Sequence, residues 1–89
     1  MKDRRLKIGL VSMHIVASWG KEFAVKLKDS LPDDSIVLKQ EEDFRTASML
    51  ILIHNKTFDE VSEGEECPKV LLDIQLNDRE SKPRLIYNH

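Results

Sequence analysis

Cysteine, glycine and proline are scarce in this sequence, whose 89 residues include one cysteine, three glycines and three prolines. Cys67 has no second cysteine to pair with, so packing must hold the fold together, and a reducing, cytoplasmic setting is expected. Three glycines leave little material for a loop that wraps around phosphate groups, and no glycine-rich nucleotide motif occurs. The sequence therefore predicts no nucleotide cofactor and no disulfide scaffold.

Motifs that carry catalysis or metal binding are also lacking. The chain contains no nucleophile-elbow, zinc-protease or paired-cysteine motif, and its acidic residues do not follow the spacing of a calcium-binding EF-hand loop. A cysteine nucleophile at Cys67 with His54 as its base is one hypothesis. A lone cysteine before a proline is, however, more typical of a small, half-buried apolar residue. We expect no metal ion, and the sequence favours a non-catalytic protein.

Long apolar runs and an excess of one charge sign are missing as well. The apolar stretch after the basic N-terminus is interrupted by Lys7 and His14, so neither a signal peptide nor a membrane span is predicted. The formal net charge is −2, whereas nucleic-acid binders usually have a large cationic excess. Residues 1–5 are expected to form a flexible basic arm, and weak nucleic-acid binding through this arm is an alternative hypothesis.

The charges that are present are unevenly distributed. The formal charge is +5 over residues 1–28, −8 over residues 29–66 and +1 over residues 67–89. The acidic block includes a long predicted loop at residues 55–68. Apolar groups ringed by acids can anchor a protein partner while the charges steer it, although the same apolar groups can equally plug the edge of the core. The candidate partner-binding residues of this loop are Phe58, Val61, Glu63, Glu65 and Glu66.

Apolar periodicity predicts one main helix and several strands. The helix is amphipathic, because its apolar residues recur at three- and four-residue steps. Strands are predicted at residues 6–13 and 35–40, with a single helical turn at residues 44–47. The run at residues 49–53 is apolar throughout, as expected of a central strand that is covered on both faces. The apolar residues of the helix are Val16, Trp19, Phe23, Leu27 and Leu31.

This order of elements predicts one domain with a two-layer α+β fold, in which the amphipathic helix packs on a mixed sheet of four or five strands. The chain starts as strand-helix-strand and ends as a β-hairpin at residues 70–88, with its turn at residues 77–83. The first unit can be a right-handed parallel crossover, but its short connection also allows a different strand order.

Polar residues follow two of the predicted strands. Ser12 and His14 follow the first strand, and His54 and Asn55 follow the apolar run. If these strands are parallel neighbours, both histidines face one crevice, beside a helix N-terminus that attracts anions. A small-molecule, anion-binding or catalytic site at these four residues is therefore an alternative hypothesis. The simpler interpretation is that both histidines are polar residues where strands leave the core.

The hypothesis that the sequence favours is a small non-catalytic interaction or regulatory module that binds a larger protein through its acidic loop. It would be of the accessory or inhibitor type that phages and mobile elements can encode. Small size, missing catalytic motifs and the acidic loop all favour this function. A homodimer through the final hairpin is a further expectation, because an unpaired sheet edge attracts another strand.

Overall fold

A computed structural model describes residues 4–76 and 83–87 of the chain. Within these residues one helical layer packs against one five-stranded mixed sheet, which confirms the predicted two-layer α+β fold. The turn predicted at residues 77–83 lies almost entirely outside the described residues. The elements are β1 (Leu6–Ser12), α1 (Met13–Trp19), a 3-10 turn (Gly20–Glu22), α2 (Phe23–Ser30), β2 (Ile36–Asp43), β3 (Ser48–His54), β4 (Lys69–Leu76) and β5 (Pro83–Tyr87).

The strands lie in the order β2-β3-β1-β4-β5. β1 is central, pairing antiparallel with β3 and parallel with β4. The two hairpins, β2–β3 and β4–β5, complete the sheet on either side of it. A parallel crossover from β1 to β2 does not form, because β2 folds back onto β3 and β3 takes the place beside β1.

The helical segment is one amphipathic layer with a break in its middle. Phe23 and Leu27 of α2 and the following Leu31 are buried, while Val16 and Trp19 pack partly buried against the same core. Gly20 separates α1 from α2, and its φ of 53° and ψ of −121° lie in a region that essentially only glycine adopts. The apolar face predicted from the sequence is therefore correct, although the helix is not continuous.

The buried side of the sheet is formed by alternate residues of its three inner strands. Val11 of β1, Ile51 and Ile53 of β3 and Leu72 of β4 are each at most 1% exposed. Gly9 lies among them, and a Cβ atom at this position would come within 3.1 Å of a Leu72 methyl carbon. A larger residue would force these side chains apart, since protein cores are closely packed.

The β2–β3 connection is a turn at residues 44–47, where the sequence predicted a single helical turn. The Asp43 carboxylate caps it by accepting a hydrogen bond of 3.0 Å from the backbone N–H of Arg45. Ala47 has a φ of 51°, which allows the chain to re-enter the sheet. Phe44 stands at the tip of the hairpin with 87% of its surface exposed.

The two faces of the sheet have different surroundings. Both helices lie against the face that carries Val11, Ile51 and Ile53. Leu50 and Leu52 point to the opposite face, and no described helix or loop forms a second layer there. The sequence predicted that β3 is covered on both faces, whereas the described residues cover one.

Candidate functional site

Hydrogen bonds around Asn55 fix the start of the acidic loop, residues 55–68. The Asn55 side chain is fully buried. Its Nδ2 donates to the carbonyl oxygen of Asp33 at 2.9 Å and to the Ser35 hydroxyl at 2.8 Å. Its Oδ1 accepts from the backbone N–H and from the hydroxyl of Thr57. This amide therefore uses its full hydrogen-bonding capacity to join the loop to the turn before β2.

The two large apolar residues of the acidic loop are buried. Phe58 is 5% exposed and Val61 is 6% exposed. The ammonium group of Lys7 lies 4.7 Å from the centroid of the Phe58 ring, in a cation–π contact. Both side chains plug the edge of the core, which is one of the two interpretations that the sequence allowed. A partner-binding role for the loop stays a prediction. The residues that can contact a partner are its exposed carboxylates, since Phe58 and Val61 are buried.

Arg4 and Arg5 hold the acidic loop against β1. The Nε atom of Arg4 donates to the Val61 carbonyl at 3.0 Å, and the Val61 N–H donates back to the Arg4 carbonyl at 2.9 Å. Arg5 Nη1 donates to the Phe58 carbonyl at 2.7 Å. Both arginines are half-buried, so these two members of the expected flexible arm are fixed in place. Residues 1–3 of that arm lie outside the described residues.

The carboxylates of the acidic loop point into solvent. Glu63, Glu65 and Glu66 are all exposed, on either side of a turn at Gly64, whose φ is 88°. Asp33 and Asp34 lie at the same end of the sheet, since Asn55 bonds to Asp33 and Lys56 forms an ion pair of 3.7 Å with Asp34. This end of the domain, with the acidic loop and the turn before β2, is called the acidic end below.

The residues of the alternative ligand site lie at opposite ends of the sheet. Because β1 and β3 are antiparallel, Ser12 pairs with Ser48 while His54 pairs with Leu6. Seven residues of strand separate the two ends by about 20 Å. The Ser12 hydroxyl caps α1 by accepting from the backbone N–H of His14, whose side chain is exposed. The condition for a shared crevice, a parallel β1–β3 pair, is not met.

An apolar groove runs between α2 and the edge strand β2. Its volume is about 730 Å³. Apolar residues from both elements line it, including Ala24 and Leu27 from α2 and Val37 from β2. Asp33 and Asp34 also line it, so the groove reaches the acidic end. The groove exists because α2 contacts β5, at the far side of the sheet, and leaves β2 incompletely covered.

The edge strand β2 is exposed along most of its length. It is the last strand on its side of the described sheet and pairs only with β3. A bulge between Val37 and Lys39 interrupts the pairing, and the regular part of the strand runs from Lys39 to Asp43. Glu41 and Glu42 are exposed on this regular part. The outer edge of β2 therefore offers backbone hydrogen-bonding groups beside the groove.

Chemical groups for catalysis do not converge in the described part of the chain. No cluster of three or more histidine, cysteine or acidic side chains there is arranged to hold a metal ion. Cys67 is half-buried and carries a free thiol. Among the described residues, no helix combines the length and the apolar character that a bilayer crossing requires.

Comparisons with known proteins found no similarity: no protein-family profile matches the chain, and neither a curated protein nor a solved structure matches it significantly. The sequence reveals the acidic block but not the groove, because a groove between residues 24–31 and 36–40 depends on how α2 crosses the sheet. The one available signal was the exposed, charge-rich pattern after Leu38, which is typical of an edge strand.

Proposed function

We propose that this chain is a non-catalytic interaction module that binds an extended, basic segment of a larger protein in the groove between α2 and β2. The observation that carries this proposal is the position of the groove, which opens directly beside the unpaired edge of β2. An apolar groove next to free backbone groups suits a peptide that adds to a sheet as a further strand.

Strand addition uses both features of this surface. The backbone of the added segment pairs with the regular part of β2, from Lys39 to Asp43. Alternate side chains of a strand point to opposite faces, so every second side chain of the segment lies on the side of the helices, and those beside Gln40 enter the groove. Apolar residues at these alternate positions gain burial, and this pattern defines the segment that fits.

The charges around the groove favour a basic segment. Asp29, Asp33 and Asp34 line it, and Lys28 is the one basic residue that does so. Glu41 and Glu42 of β2 add carboxylates beside the added strand, one on each face of the sheet. The carboxylates of the acidic loop extend the same charge beyond the groove, where they accelerate the approach of a basic partner.

The anchoring of the acidic end also supports this function. The bonds of Asn55 to Asp33 and Ser35 tie the mouth of the groove to the loop, and Arg5 fixes the loop at Phe58. A surface that is ordered before binding loses less conformational entropy when a partner arrives. The exposed acids are thus held on a rigid base and need no rearrangement to meet their partner.

The test uses two fluorescein-labelled synthetic peptides that alternate valine with a charged residue, which is lysine in one peptide and glutamate in the other. We expect the lysine peptide to bind, with an affinity that falls as salt is added, and the glutamate peptide not to bind. Fluorescence anisotropy measures both affinities. Equal binding of the two peptides would refute the charge preference.

Two alanine variants locate the binding site. Ala24→Phe places a large ring in the groove, while Ala17→Phe places the same ring on α1, at another exposed helical position. We expect Ala24→Phe to weaken binding of the lysine peptide about tenfold or more, because the ring occupies the space of the peptide side chains. Ala17→Phe should bind as the wild type does. Unchanged binding of the lysine peptide by Ala24→Phe would exclude the groove as its binding site.

A third variant tests the contribution of the acidic loop to binding separately from that of the groove. Glu63, Glu65 and Glu66 are replaced together by lysine, which removes the steering charge without touching a buried contact. We expect slower association with little change in the dissociation rate, measured by stopped-flow mixing. An unchanged association rate would show that the acidic loop takes no part in binding.

A further inference from the structure

Large apolar side chains occupy the face of the sheet that points away from the helices. The register of the strands places them there, since residues paired across strands lie on the same face. Leu71 is the most prominent, with 55% of its surface exposed, and most of the others are half-buried. The large apolar residues of this surface, called the open face, are Leu6, Ile8, Leu10, Leu50, Leu52, Leu71 and Ile86.

The central strand directs its more apolar side to the open face. Leu6, Ile8 and Leu10 point there, whereas Lys7 and Gly9 lie on the side of the helices. β3 likewise divides its apolar residues between the two faces. Burial of large aliphatic side chains is the main stabilising term in folding, so this distribution is that of a sheet covered on both sides. The helices of this chain cover one.

We infer that the open face is the contact surface of a homodimer in which two copies stack sheet against sheet. Five strands spaced about 4.8 Å apart, each about seven residues long, give a flat footprint on the order of 600 Å². The accessible surface of such a face exceeds its flat footprint and approaches the roughly 800 Å² per partner of a standard stable interface. The open face is thus large enough to be covered by a whole sheet of a second copy.

Complementary shapes on either side of β1 identify the occupant as a second copy. On one side is a hollow of about 200 Å³, lined by Ile8, Leu50 and Leu52 together with Lys39 and Glu41. On the other side Leu71 protrudes. Leu50 and Leu71 are both in register with Leu10, so they lie at the same height on the two neighbours of β1.

A two-fold axis along β1, between the sheets, exchanges these two neighbours. It places Leu71 of each copy over Leu50 of the other, at the hollow, and the contact is made twice, as a symmetric interface requires. The open face also carries charges, with Lys69 and Asp73 on either side of Leu71 in β4, but the two signs balance. The net charge is only −2, and Lys39 and Glu41, at the margin of the open face, neutralise each other in an ion pair of 3.3 Å.

The oligomeric state of the full chain tests this inference by sedimentation velocity over a wide range of concentrations. We expect the wild type to be a dimer and Leu71→Glu to be a monomer or to dissociate at least about tenfold more readily, because two carboxylates would be buried at the hollows. Val25→Glu is the matched control, since Val25 is similarly exposed, at 61% against 55% for Leu71, but lies on α2. It should dimerise as the wild type does.

Crosslinking tests the arrangement itself, in a Cys67→Ser background. Chains carrying Leu50→Cys are mixed with chains carrying Leu71→Cys, and a short bis-maleimide reagent should join them into mixed dimers. Val25→Cys should not crosslink to either. Leu10→Thr, which keeps a good strand-forming residue, provides a second dimer-weakening variant without a charge. A wild type that stays monomeric throughout, or a dimer that Leu71→Glu leaves unchanged because it forms at a strand edge, would overturn the inference.

Discussion

Among the described residues, Asn55 is the one buried polar side chain. It connects segments that lie far apart in the sequence, since its partners are Asp33, Ser35 and Thr57. Removing a buried partner is costly because the groups left behind lose their hydrogen bonds without regaining water. Asn55 therefore stabilises the acidic end more than its size implies.

We predict that Asn55→Ala lowers the free energy of unfolding by about 2 kcal/mol or more, because four hydrogen bonds are lost and a small void is left. Urea denaturation followed by circular dichroism measures this change. Lys56→Ala, at the exposed neighbouring position, should change stability by less than about 0.5 kcal/mol. Similar losses of unfolding free energy in the two variants would show that the Asn55 amide does not anchor the acidic end.

Residue type alone could not reveal this role. The sequence marked His54 and Asn55 as polar residues after a strand, which describes a ligand site and a structural anchor equally well. Asn55 is an anchor because it bonds to Ser35 and to the Asp33 carbonyl, about twenty residues away. A local sequence pattern cannot predict these partners. The same holds for Phe58 and Val61, for which the sequence allowed both a docking and a plugging role.

At the level of the elements, the helical layer depends on its central break. Gly20 changes the direction of the chain between α1 and α2, so that both Trp19 and Phe23 reach the core. A Cβ atom at Gly20 would have no neighbour within 4 Å, so any effect of a substitution there comes from the backbone. A substitution at Gly20 therefore measures the cost of backbone strain without a contribution from packing.

We expect Gly20→Ala to lower the free energy of unfolding by about 1–3 kcal/mol, since its dihedral angles are unfavourable for a residue with a side chain. Thermal unfolding measured by calorimetry gives the change. Lys21→Ala is the control, because Lys21 is exposed and precedes α2 without a positive φ. If Gly20→Ala left the free energy of unfolding unchanged, the break between α1 and α2 would not be needed for the stability of the fold.

Periodicity predicted most of the elements but could not say what covers them. The three- and four-residue spacing from Val16 to Leu31 identifies the helical face that is buried. In contrast, the run at residues 49–53 indicates only that both sides of β3 are apolar. Nothing in this pattern distinguishes a helix of the same chain from the sheet of another copy, because burial is the same in either case.

For the whole molecule, the strand order determines which parts are held most firmly. β1 and β3 are paired on both sides, while β2 and β5 each have one partner in the described sheet. The sequence could not predict this order, since β1 pairs with residues 48–54 and 69–71, far along the chain. That pairing separates His14 from His54 and creates the open face.

We predict that in the free protein the backbone amides of β1 and β3 exchange with deuterium most slowly and that those of the edge strands β2 and β5 exchange fastest, because local opening requires few broken bonds at an edge. Hydrogen exchange measured by mass spectrometry shows the order. The lysine peptide should slow exchange in β2 alone, whereas stacking at the open face leaves the hydrogen bonds of β2 unchanged. Fast exchange in β1 would contradict the central position of this strand.

The central position of β1 also has a consequence for how the protein is made. Its seven residues leave the ribosome before its partners β3 and β4, which extend to residues 54 and 76. Until β3 and β4 have emerged, Leu6, Ile8 and Leu10 have no strand to pair with, and the sheet cannot close around them. β1, β3 and β4 must all be synthesised before this part of the sheet forms, and during that interval the apolar side chains of β1 are open to chaperones or to aggregation.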